Sequence, residues 1–247
     1  MLYFIAIPDA AAGLALDPMV AQHSVAGGKR AKGAINVKNT GQDPVIVNVE
    51  TELASGFIGN TALKENWFSV KPGQFLLAPG KSKKVKYSIK PPKEGRGEAA
   101  LVIFFSENPV AGANSTGSIM IKARNGVTVY CGVKGTEVNS SAIEGLSASG
   151  VESGGLKIDI SVKNTGNEHI IPRGRIFIKD NNNTLIDDMA VQPQASILPG
   201  ASKVITVNYD KSQLAPGTYK LNAVLNCSRK AARELIQKET VFELGKQ

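Results

Sequence analysis

The sequence predicts an all-β fold of two tandem antiparallel β-sandwich domains, and three observations carry that prediction. The composition is rich in Val and Ile and in turn formers, with Gly 25 and Pro 12 in 247 residues, against Met 4 and Trp 1. Short apolar runs alternate with polar residues at a period of two, the spacing of a strand with one buried face. Two motifs also recur in the same order. Ile35-Asn36-Val37-Lys38-Asn39-Thr40-Gly41 returns as Ile160-Ser161-Val162-Lys163-Asn164-Thr165-Gly166, and Pro79-Gly80-Lys81-Ser82-Lys83 as Pro199-Gly200-Ala201-Ser202-Lys203. A repeat of two motifs at nearly one offset implies two copies of one architecture.

The elements follow in chain order. Residues 1–15, MLYFIAIPDAAAGLA, form an apolar run ending in small residues. This suits a truncated export signal cut between Ala12 and Leu16, or else a buried first strand interrupted at Pro8. A strand over Ile35–Lys38 ends at Asn-Thr-Gly, whose Asn and Gly accept tight-turn geometry. Val45, Val47 and Val49 then alternate with Ile46, Asn48 and Glu50. The Pro79-Gly80 turn launches Val85, Tyr87 and Ile89, and Ala99–Phe105 follows. In the second copy the strands are Ile158–Lys163, Ile176 and Ile178 with their neighbours, Val204–Tyr209 and Tyr219–Leu225. Only Ser228–Lys238 shows helical spacing, for a turn or two, through Ala231, Ala232, Leu235 and Ile236. The polar stretch Lys134–Ser141 reads as the hinge, dividing the chain into a signal segment 1–15, a first domain 16–135 and a second domain 136–247.

Composition argues against chemistry. His23 and His169 are too few for a His-rich metal centre, and Cys131 and Cys227 cannot form a four-thiolate zinc site. Gly27-Gly28-Lys29-Arg30 and Gly95-Arg96-Gly97 lack the strand and helix of a phosphate cradle and read as hairpin turns. The acidic runs at Asp180-Asn181-Asn182-Asn183 and Asp187-Asp188 lack the ordered loop of a calcium site and read as turns. No nucleophile elbow or triad is present. No enzymatic activity, cofactor or metal is expected. The net charge is +8, with 29 basic and 21 acidic side chains. Lys81, Lys83, Lys84 and Lys86 fall on a strand-like run, read as a solvated face of the kind that blunts sheet edges.

The stretch Phe68–Pro109, FSVKPGQFLLAPGKSKKVKYSIKPPKEGRGEAALVIFFSENP, resembles the N-terminal domain of the PapD-like periplasmic pilus chaperones, built from two immunoglobulin-like domains. It shares a Pro-containing turn, a Pro-Gly before a strand, a charged loop with Arg and an aliphatic-aromatic strand ending in Pro. Leu16-Asp17-Pro18 resembles the family's mature start. The resemblance implies capture of an incomplete subunit by an edge strand, with two basic side chains holding the subunit's C-terminal carboxylate. By spacing those two positions fall near Val20 and Val127, neither of them basic, so Lys122 and Arg124 are the candidate anchors. The edge-strand candidate is Ser118–Val133, where Val127, Val129, Cys131 and Val133 form one apolar face and Asn125-Gly126 allows a bulge; the same alternation suits a last strand whose face lies in the core. The family often carries a local disulfide in its second domain. Here the one pairing left within the chain is Cys131 with Cys227, the alternative being two separate buried thiols.

These readings predict an exported, periplasmic or secreted, non-enzymatic chaperone-like protein. It would take a pilin-like or surface subunit as partner, with no nucleic acid and no stable membrane insertion. The alternative is a structural or adhesive cell-surface immunoglobulin-like module.

Overall fold

In the computed structural model the described residues are 13–57, 67–109, 124–150, 155–209, 214–228 and 235–245. They form strands throughout and divide into two compact units, one ending at Thr136 and the next starting at Glu137. Each unit packs two sheets around its own apolar core, as in an immunoglobulin-like sandwich.

In the first unit, β1 (Leu14–Asp17), β3 (Ala31–Asn39), β7 (Ser82–Ile89) and β5 (Phe68–Lys71) form a four-stranded sheet in the order β1-β3-β7-β5. The facing sheet has the order β2-β9-β8-β4-β6, from β2 (Val20–Val25), β9 (Arg124–Val133), β8 (Glu98–Pro109), β4 (Val45–Ser55) and β6 (Gln74–Leu77). The N-terminal segment thus serves both sheets. It pairs antiparallel with β3, crosses over at the cis Asp17–Pro18 bond, and then runs parallel to β9. Every other pairing is antiparallel. The inward positions Ile35, Val37, Val47, Val85, Leu101, Ile103 and Phe105 are fully buried, so the period-two pattern is satisfied on both sheets.

The second unit pairs β10 (Ser141–Gly150), β11 (Leu156–Asn164) and β14 (Ser202–Tyr209) in one sheet. The other runs β13 (Leu185–Val191), β12 (Arg173–Lys179), β15 (Gly217–Asn226) and β16 (Leu235–Leu244). The helical turn expected over Ser228–Lys238 is overturned where it is described. Leu235 and Ile236 open β16, opposite Asn226 and Leu225, and Ile236 packs against the core while Leu235 faces outward. A ten-residue ladder with β15 pairs alternate backbone groups along the whole strand, support that one isolated helical turn lacks. Residues 229–234 lie outside the described residues.

The two repeated motifs meet in space, once in each unit. Asn39 is buried at the end of β3; its Nδ2 donates to the carbonyls of Asp43 (2.8 Å) and Leu77 (3.0 Å), and its Oδ1 accepts the Gly41 amide (2.8 Å). Asn164 repeats this at the end of β11, donating to Glu168 (2.8 Å) and Ile197 (2.9 Å) and accepting from Gly166 (2.9 Å). The backbone carbonyls of the same asparagines accept the amides of Gly80 and Gly200, both at 3.0 Å. Those glycines close type II turns, with Lys81 N donating to Ala78 O and Ala201 N to Leu198 O, and their φ of 68° and 77° is the left-handed geometry that needs Gly after Pro. Replacing Asn39 by Ala leaves the buried Leu77 carbonyl, and the part-buried Asp43 carbonyl and Gly41 amide, without their partner and is expected to cost the first unit about 3 kcal/mol. Asn164→Ala should do the same to the second. Urea unfolding read separately for each unit checks this, and an unchanged midpoint in both variants would refute it.

Candidate functional site

The sequence-derived site falls on β9, and the structure divides it. Residues 118–123, including the candidate anchor Lys122, lie outside the described residues. From Thr128 to Val133, β9 is flanked on both sides: β2 pairs with it in register Val20–Thr128 to Val25–Val133, and β8 pairs with it from Glu98–Gly132 to Ser106–Arg124. That stretch is therefore not an edge. Val127, Val129 and Cys131 are fully buried in the first unit's core and Val133 nearly so. The apolar face assigned to partner binding is core face, because inward positions of a sandwich strand are apolar whether or not the strand lies at an edge. The Asn125-Gly126 bulge is also absent, since the register with β8 runs unbroken through Phe105–Asn125 and Phe104–Gly126.

An edge does remain on β9, one turn of the pattern earlier. The pairing with β2 starts at Thr128, whose amide donates to the Met19 carbonyl (3.1 Å). Backbone groups of a strand point to alternate sides, so those of Gly126 and Arg124 face the same side as Thr128. Among the described residues no strand pairs with them there. Gly126 lets the chain lie flat at this point, for a Cβ would meet Val102 Cγ1 at 2.9 Å and Phe104 Cε1 at 3.1 Å.

Arg124 sits on the outward face beside this edge. Its guanidinium lies 3.5 Å from the Phe104 ring centroid, and Nη2 contacts Glu50 Oε2 at 3.2 Å and Glu52 Oε2 at 3.8 Å. All three charges are exposed, so the pairs are weak and exchangeable. The cation stays half-exposed and oriented by stacking on the ring, a geometry suited to a planar carboxylate.

The later half of β2 is held by a second feature that the sequence did not disclose. His23 points inward from β2, and its Nε2 lies 2.9 Å from Tyr87 Oη on β7 of the facing sheet. Tyr87 reaches it by crossing β3 at Gly33, where any Cβ would collide with the phenol ring. Burial lowers the His23 pKa from 6.5, and burial, with a smaller effect of Cys131, raises that of Tyr87. Burial, then Glu98, pushes the Cys131 thiol up to about 12. Cys227 is raised by burial against an opposing hydrogen bond with Ser141. Both cysteines are free thiols, each in its own unit's core, so the Cys131–Cys227 bridge weighed from the sequence is not formed. Among the described residues no group of three or more His, Cys, Asp or Glu is placed to hold a metal, and no helix is long and apolar enough to cross a membrane.

No family model and no curated protein matches the chain. Among solved structures it is similar to the class 5 fimbriae chaperone CfaA, at 13% identity and TM-score 0.49 over 93% of this chain and 98% of that one. It is also similar to the E. coli chaperone DraB, at 12% identity and TM-score 0.43 over 96% and 97%. A third is the Salmonella enterica SafA pilin in complex with the SafB chaperone, at 10% identity and TM-score 0.46 over 92% and 96%.

Two outcomes follow from this geometry. Val127→Lys and Val129→Lys bury an unpaired charge and are expected to unfold the first unit, by more than about 4 kcal/mol. Thr128→Lys, on the outward face, should be tolerated; equal midpoints for all three would return these valines to the surface. The His23 effect has a defined sign. A base whose folded pKa is depressed costs stability as the unfolded chain protonates, so the first unit should weaken as pH falls through 6.5 and level off below the folded value. Denaturant midpoints across that range should show this slope in the native protein and lose it in His23→Gln.

Proposed function

We propose that this protein is a non-enzymatic, exported chaperone-like binding protein that captures a pilin-type or surface subunit by edge-strand pairing. The observation that carries the proposal is the side of β9 at Arg124–Val127 that no strand pairs among the described residues, directly upstream of the point where β2 takes over as neighbour. A strand laid there would continue the line of β2 and pair with the backbone of Gly126 and Arg124, while its side chains alternate between the sheet's two faces. The partner class is the one named by the pilus-chaperone resemblance of Phe68–Pro109. Arg124 is the proposed carboxylate anchor, exchanging its exposed glutamates for the subunit's C-terminus; Lys122, two residues earlier in the sequence, is proposed as a second cation. The site is periplasmic or secreted on this reading. The cut that frees the chain then falls at the Ala12 end of the expected window, because Leu14 is buried and the Gly13 carbonyl accepts both the amide (3.0 Å) and the hydroxyl (2.7 Å) of Thr40.

The test uses a purified pilin-type subunit lacking its last strand, diluted from denaturant with and without the chaperone candidate, with aggregation followed by light scattering. Native protein is expected to suppress aggregation in proportion to its amount. Arg124→Ala keeps the backbone donor and removes the cation, and should weaken capture about tenfold, the worth of one charge-assisted hydrogen bond. Arg124→Pro also removes the edge-facing amide and should abolish capture, while remaining tolerated at a strand edge. Suppression by both variants at the native level, with unfolding midpoints unchanged, would remove β9 as the binding edge.

A further inference from the structure

The outward face of the β1-β3-β7-β5 sheet carries an unbalanced positive charge. Of the 29 basic and 21 acidic side chains, 16 and 9 lie up to Thr136, so the first unit holds +7 of the net +8. The registers place Lys32 and Lys38 of β3, Lys84 and Lys86 of β7, and Lys71 of β5 on one face, with Arg30 at its end; Asp17 of β1 is the sole acid among these outward strand positions. All six cations are exposed, and among the described residues none forms an ion pair. Arg30 Nη1 donates instead to Ser88 Oγ at 2.8 Å, which sits 2.9 Å from Ser69 Oγ.

Two features make this more than a solvated face. Lys71 lies directly opposite Lys86 across β5 and β7, and like charges in that position destabilise a sheet. The lysines of β7 cannot be edge protection, because β7 is flanked by β3 and β5. The opposite sheet shows no such excess, since its outward face carries Glu50 and Glu52 around Arg124.

We propose that this face adsorbs the protein to an anionic phospholipid surface. The remaining outward positions are Ala15, Ala34, Asn36, Ser69, Ser82 and Ser88, small and without an aromatic ring. No aromatic ring is there to stack on a base or a sugar, the platform by which single-stranded nucleic acids are chiefly gripped. Nothing there is apolar enough to insert, so contact is electrostatic and confined to headgroups. Five of the six cations are lysines, compact point charges rather than bidentate forks, spread over a sheet roughly 26 Å by 15 Å from strand rise and spacing. A broad, shallow array of point charges matches a planar charged surface better than a groove. The inference does not rest on the chaperone reading.

The test is sedimentation of the full chain with vesicles of phosphatidylcholine alone and of equal parts phosphatidylcholine and phosphatidylglycerol. Binding is expected to the anionic vesicles only and to fall as salt is raised. Each lysine near an anionic bilayer is worth about 1 kcal/mol, or about fivefold in partitioning. Lys84→Gln with Lys86→Gln should therefore weaken binding about twenty-five-fold and Lys84→Glu with Lys86→Glu abolish it, while Lys203→Glu with Lys220→Glu in the second unit should matter little. The neutral pair serves if the reversed pair unfolds. Equal binding by the neutral pair and native protein would overturn the proposal. So would retention by heparin or duplex DNA with no retention by anionic vesicles, which would assign the face to a soluble polyanion.

Discussion

The side-chain amide of one buried asparagine ties three chain segments together in each unit: the end of the strand it sits on, the turn that follows, and the residues before the Pro-Gly turn. Asn39 and Asn164 each donate twice and accept once, and their backbone carbonyls take the amides of Gly80 and Gly200. A buried amide without those partners would be expensive, so the segments have one arrangement in which all three are close. That arrangement fixes where β7 and β14 begin, and hence the register of the strands that follow. The Asn-Thr-Gly and Pro-Gly motifs are two halves of one contact. They recur together because neither is useful alone.

This explains what the sequence disclosed and what it withheld. Strands with strict alternation, such as Ile158–Val162 and Val85–Ile89, were legible because burial on one face leaves a period-two trace. Strands β2, β10 and β13 leave almost none. In β10 only Leu146 is buried, its pairing shifts between Ile143 and Gly145, and its sequence is otherwise small and polar. In β2 the outward residues Val20 and Gln22 are as apolar or polar as chance, and the informative residue, His23, is a polar group turned inward to Tyr87. The alternation of β9 marks a strand but fits a core face and a binding face alike, and the structure puts Val127, Val129 and Cys131 in the core. Alternation reports burial and cannot say whether core or partner does the burying. The pair Leu235-Ile236 misled in the opposite direction, since adjacent apolar residues fit one side of a helix as well as two sides of a strand.

The edge on β9 exists because the N-terminal segment is shared between sheets. Four residues pair with β3 before the chain crosses to β9, so β2 reaches only as far up β9 as Thr128. An N-terminal strand kept wholly on β9 would cover Arg124 and Gly126, and one kept wholly on β3 would uncover the whole of β9 down to Val133. The division places a short stretch that no described strand pairs next to one that β2 covers. His23 and Tyr87 secure the closed part by linking the two sheets at the segment's far end, which keeps β2 from peeling back and lengthening the gap.

A sandwich that commits every inward side chain to its core can interact only through its backbone edges and its outward faces. In the first unit those two resources carry different chemistry. The β9 edge offers backbone that no described strand pairs, next to an arginine held loosely by two exposed glutamates that an incoming carboxylate would have to displace. The outward face of the other sheet offers no backbone and no balance, only cations spaced by small residues, with Lys71 and Lys86 set against each other. Because the two lie on opposite sheets of one sandwich, a ligand on one leaves the other open. Strand pairing is directional and insensitive to salt, whereas adsorption by point charges is neither, so ionic strength alone separates the two kinds of contact.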